Sequence, residues 1–207
     1  MYVMGQFFFF PLDRNFLKKK VIYELPYSLE VNGIEHPIRT DFRDIMRIMF
    51  AMGDPELEEN EKAYICLYII YEDFEDINPD DYEAAFKAAI DFMDCGERRR
   101  NEKTPSKGVV DFEQDERLLI AAVNRVAGCE VRSMEYLHWW TFMGYFMEIG
   151  ECTYQTVLSL RSKKNKGKRL EKWEQEFWTN NKDICEIKEK LTAEEKEDYD
   201  LINSMIG

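Results

Sequence analysis

No apolar run in this chain reaches the roughly 18–20 residues that a membrane-spanning helix needs. The FFFF stretch at 7–10 is cut short by Pro11, Asp13 and Arg14. The basic cluster Lys18-Lys19-Lys20 follows that stretch, the reverse of the order in a secretory signal. A soluble, intracellular protein without membrane contact is expected. Histidine is nearly missing: His36 and His138 are the only two, and neither belongs to an H-x-x-x-H or H-E-x-x-H pattern. The five cysteines, Cys66, Cys95, Cys129, Cys152 and Cys185, include no C-x-x-C, and an odd number is a poor disulfide framework. Free thiols are expected. There is no Gly-rich phosphate loop and no G-x-S-x-G. Positive charge is the scarce sign, with 28 Lys and Arg against 41 Asp and Glu, a net charge of −13 and a pI near 4.8. Phosphate affinity is mainly cationic counterion release, so indiscriminate nucleic-acid binding is opposed.

Apolar and aromatic residues are plentiful, at 45% and 14% of 207 residues, which is ample for a core despite 33% charge. The stretch "SLEVNGIEHPI" (28–38) predicts a β-hairpin. Leu29, Val31, Ile34 and Ile38 are its apolar positions, and Asn32-Gly33 suits a type I′ turn. Thr40 or Asp41 then caps a helix through Phe42, Ile45, Met46, Met49 and Phe50, stopped by Gly53 and Pro55. Helical spacing predicts further helices over 56–72 and from Asn78-Pro79 to Gly96. A charged loop follows at 97–110, then helices over about 112–127, 133–149, 152–162, 170–190 and 192–205. The fold class is mainly α: a small N-terminal hairpin leads into a helical bundle with a polar helical C-terminal tail. Residues 1–20 are a leader outside the fold, 21–162 the hairpin and bundle, and 163–207 a basic junction with C-terminal helices.

The densest aromatic stretch, "EYLHWWTF" (135–142), surrounds His138. A catalytic histidine needs an orienting carboxylate or a nucleophile at hydrogen-bond range, and the local sequence offers no such triad. His138 reads as a packed helical residue. The acidic run "YEDFEDINPDD" (71–81) lacks the central Gly and the twelfth-position Glu of a calcium loop. Asp41 and Asp44 read as helix N-terminal acids. No catalytic residue, cofactor or metal is therefore expected. The block "RSKKNKGKRLEK" (161–172) is an island of positive charge, followed by "WEQEFW". Glutamates separate the two, which favours a solvated helix–helix junction or a docking patch for an acidic protein partner over nucleic acid. The partner-binding candidates are Trp139, Trp140, Arg161, Lys163, Lys164, Lys168, Trp173 and Trp178.

In combination, "VNGIEHPIRTDFRDI" (31–45), "FEQDERLLIAAV" (112–123), "EYLHWWTFMGYF" (135–146) and "LSLRSKK" (158–164) resemble the bacteriophage Gp-fifteen family of tail-region proteins, from phages of Gram-positive bacteria. The resemblance spans about Ser28 to Asp183. It implies a protein encoded beside the tape measure gene and acting as a tail assembly chaperone. Such a protein binds the tape measure protein, keeps it soluble and recruits tail tube subunits, other chaperone copies or its own kind. It works in the host cytoplasm and is absent from the finished virion. The alternatives are a structural tail or connector component retained in the virion and, third, a nucleic-acid accessory protein using 161–172. For FFFF two readings stand open: the uridine-rich site of a ribosomal frameshift, or a docking segment that covers an apolar patch.

Overall fold

The computed structural model describes residues 24–96, 108–188, 190–192 and 195. The leader with FFFF, loop residues 97–107 and most of the helix expected over 192–205 lie outside the described residues.

The hairpin pairs β1 (Ser28–Val31) with β2 (Ile34–Pro37), antiparallel, with Val31 opposite Ile34. Asn32 and Gly33 both take positive φ, 48° and 89°, as the two-residue turn requires. The chain then enters α1 (Phe42–Met52), whose N-cap Asp41 accepts from the Arg43 N–H. Phe42, Ile45, Met46 and Ile48 form its buried stripe, while Met49 and Phe50 are partly covered. Helix α2 (Glu59–Ile70) opens with a Glu58–Glu61 capping box. Two 3-10 turns, Phe74–Asp76 and Pro79–Asp81, lead into α3 (Tyr82–Met93), and the side chain of Asn78 accepts from the Asp80 N–H. The chain is mainly α, as its spacing predicts.

Three expected helices differ in extent, each for a local reason. Helix α4 runs over Glu116–Ala127, not from 112, because the Asp111 carboxylate accepts the N–H groups of Glu113 and Gln114 and folds a turn there. Helix α5 runs over Trp139–Met147, not from 133, because Leu137 and His138 are extended and bridge to the chain at Asp41. Helix α6 is Thr153–Asn165. The single helix expected over 170–190 is two, α7 (Lys172–Asn180) and α8 (Lys182–Cys185). They break at Asn181, whose side-chain amide donates to the Phe177 carbonyl and competes with the helical ladder.

The main core gathers the hairpin, α1 to α5 and Tyr154 of α6. A smaller cluster of Val157, Leu160, Trp178 and Cys185 joins α6 to α7 and α8. Helix α6 therefore contributes to both. Among the described residues no helix is long and apolar enough to cross a membrane.

Candidate functional site

His138 is buried, and it caps α5 instead of sitting inside a helix that spans it. Its Nδ1 accepts the Trp140 N–H at 3.0 Å, and its Nε2–H donates to the Pro26 carbonyl at 3.0 Å. One nitrogen must be bare and the other protonated, so the ring is held as a single neutral tautomer. Burial lowers its pKa below the ordinary value of 6.5, and the Pro26 hydrogen bond opposes that shift. The same crossing carries backbone bonds from Trp139 N–H to the Thr40 carbonyl (2.7 Å) and from Phe42 N–H to the Leu137 carbonyl (2.9 Å). Asp41 adds a third, accepting the Leu137 N–H at 3.1 Å. This arrangement staples the start of α5 to the start of α1. Arg43 completes it by donating to the carbonyls of Arg132 and Met134.

Trp139 is buried, stacks on Phe142 and donates its indole N–H to the Met93 carbonyl at 2.9 Å. Trp140, half-buried, reaches the Phe92 carbonyl at 2.9 Å and stacks on the Phe92 ring. Both tryptophans hold α5 against the end of α3.

Arg161 is 2% exposed. Its guanidinium forks onto Asp115 at 2.7 and 2.8 Å and also donates to the carbonyls of Val109, Ile184 and Cys185. Charge burial of this kind requires such full pairing. Asp115 is the essential residue that sequence reading misses. It lies 46 positions away, and no local pattern links the two.

The rest of the basic block divides in two. Lys163 pairs with Glu174, a contact that raises the lysine pKa and holds the glutamate below its usual value. Lys164 stands 3.8 Å over the buried Trp178 ring. Lys166, Lys168, Arg169 and Lys172 are exposed and have no ion-pair or hydrogen-bond partner for their side chains among the described residues. Trp173 is 55% exposed, with its indole N–H on Glu171 at 3.0 Å. It forms one wall of an open groove of about 360 Å3 between α6 and α7, shared with Cys152, Gln155, Thr156 and Leu160.

The remaining candidate chemistry resolves into structure. Asp73 pairs with His36 at 2.8 Å, and Asp44 with Arg47 at 2.7 Å. Burial pushes the Cys66 thiol up to about 12, leaving it an un-ionised core group. Among the described residues no three His, Cys, Asp or Glu side chains are grouped as a metal site would need.

The hairpin-to-α1 entry and the α5 staple are built from the segments whose combination is distinctive in the sequence. A family model with the description "Bacteriophage Gp15 protein" matches residues 21–200, nearly the whole chain. The chain belongs to this bacteriophage family. The match takes in all four segments, 31–45, 112–123, 135–146 and 158–164, together with the α7–α8 pair. Neither the curated proteins nor the solved structures yield a match. As a Gp15 member, the chain is a bacteriophage protein with a mainly α fold.

Proposed function

We propose that this Gp15 protein is a tail assembly chaperone: it binds the tape measure protein, keeps it soluble and brings it to tail tube subunits, with no catalysis. The work takes place in the host cytoplasm, and the protein leaves before the virion is complete. The observation that carries this reading is Trp173, a large amphipathic ring standing exposed on the wall of the α6–α7 groove in a phage-family protein. Exposed tryptophan beside a groove is the usual anchor for an apolar helix, and a tape measure chain offers such a helix. Buried Trp178 and Arg161 serve the reading indirectly, by fixing α6 against α7 and α8.

Nucleic acid fits the same surface poorly. The ring of Trp178 is sealed beneath Lys164, and Trp173 is tied to a carboxylate that would repel phosphate.

Co-expression tests the proposal. The tape measure protein should remain soluble with this chain and precipitate without it. Trp173→Ala should weaken their co-purification at least tenfold while the melting temperature stays put. Equal solubility of the tape measure protein with and without the chain would remove the proposal's basis.

A further inference from the structure

The chain carries a cationic projection and an anionic recess on separate parts of its surface, and we propose that the projection of one copy docks in the recess of the next. The assembly is head-to-tail self-association. The inference goes beyond the chaperone reading and does not rest on it.

The projection is the turn after α6. Gly167 has φ +64°, Lys168 N–H bonds the Lys163 carbonyl and Gly167 N–H bonds the Lys164 carbonyl, which is the Schellman closure of a helix end. Lys166, Lys168 and Arg169 are thus presented on a short turn whose backbone is already fixed, so docking orders little new chain.

The recess is an open groove of about 470 Å3 at the end of α2, lined by Arg39, Tyr68, Glu72, Phe74, Glu75 and Asp76 among others. Two arginines also line it, Arg39 on the carbonyls of Tyr68, Ile69 and Tyr71 and Arg47 on Asp44. Against them stand the five carboxylates of Asp44, Glu72, Asp73, Glu75 and Asp76, so the groove is net negative. Glu72, Glu75 and Asp76 are exposed and have no ion-pair partner among the described residues. Along its rim Tyr64 and Tyr68 stack at 6.4 Å, and they are 54% and 59% exposed. Carboxylates beside open aromatic faces suit ammonium and guanidinium groups. The exposed Lys166, Lys168 and Arg169 side chains of the turn supply those groups.

Each copy carries −13 overall, so bulk repulsion opposes the contact. At about 0.1 M salt the Debye length is roughly 10 Å, which damps that spread-out repulsion more than contacts of a few ångströms. A contact between unlike patches of one chain is heterologous and propagates as a ring or an open chain.

Sedimentation velocity over a concentration series tests this. At about 0.1 M salt the wild-type chain should grow in mass with concentration, and about 0.5 M salt should return it to monomer. The triple variants Lys166→Glu/Lys168→Glu/Arg169→Glu and Glu72→Lys/Glu75→Lys/Asp76→Lys, each checked for native circular dichroism, should be monomeric alone. Mixed in equal amounts they should associate again, since each then carries what the other lacks. The proposal is overturned by a wild-type chain that stays monomeric throughout, including one whose turn binds only a tape measure fragment. Self-association that survives either triple reversal, or a mixture that fails to associate, overturns it equally.

Discussion

Arg161 and Asp115 are the pair on which the second cluster depends. Removing one partner leaves a buried charge uncompensated, so Arg161→Leu or Asp115→Leu should each cost about 3–5 kcal/mol in denaturant unfolding. Arg161→Lys should also destabilise, because an ammonium cannot reproduce the fork onto Asp115 while reaching the Ile184 and Cys185 carbonyls. The double change Arg161→Leu/Asp115→Leu should cost less than the two single changes added. Additive costs would mean the pair is not coupled.

His138 makes a second prediction at this scale. In the unfolded chain it takes a proton near pH 6.5, while in the fold Nδ1 is committed to the Trp140 N–H and its pKa is lowered. Its contribution to stability is therefore complete above about pH 6.5 and is lost as pH falls from there through the folded value. His138→Asn keeps a neutral cap and removes the titration. The melting temperature of the wild type should fall more steeply than that of the variant between about pH 7 and 5. Parallel slopes would show that His138 takes up a proton in the fold as readily as in the unfolded chain, against a lowered pKa.

At the scale of elements, α5 is the most apolar of the longer described helices, and hydrogen bonds to Thr40, Asp41 and Phe42 hold its start. Trp139→Ala should cost about 3–5 kcal/mol by leaving a cavity where its ring meets Phe142. Trp173→Ala, on the exposed side of α7, should stay within about 0.5 kcal/mol of wild type. Chemical denaturation of both variants decides whether buried and exposed tryptophans divide the labour in this way. Equal costs would contradict the burial that separates them. The hairpin, α1 and the end of α3 were legible in the chain because their signals are local: Asn32-Gly33, Asp41 and Gly96. The start of α5 was not, since helical spacing continues back to 133 while an isolated bridge to the distant Asp41 holds His138 out of the helix. The basic block shows the same limit. Its charge was legible, but Arg161 is consumed by a carboxylate 46 residues away, Lys163 by Glu174 and Lys164 by Trp178. The surface cations that remain are Lys166, Lys168, Arg169 and Lys172, of which only Lys168 was singled out as a partner residue from sequence. Reversing Lys163 would place a carboxylate against Glu174 and confuse folding with binding.

The whole molecule presents aromatic side chains outward from a fixed frame. Among the described residues the most buried phenylalanines and methionines, such as Phe42, Phe142 and Met46, belong to the core, and the exposed large apolar side chains are four tyrosines, Trp173, Met147 and the aliphatic Leu25, Ile34, Ile187 and Leu191. Rigid amphipathic rings of this kind gain contact area at small cost in side-chain entropy, which suits the proposed role of holding a client and later releasing it. Release is what separates a chaperone from a tail component. Quantitative mass spectrometry of purified virions beside the infected-cell lysate tests that distinction most directly. The chaperone account predicts abundant peptides from this chain in the lysate and none above trace in the particle. A fixed number of copies per virion, retained through gradient purification, would contradict it and make the protein part of the tail.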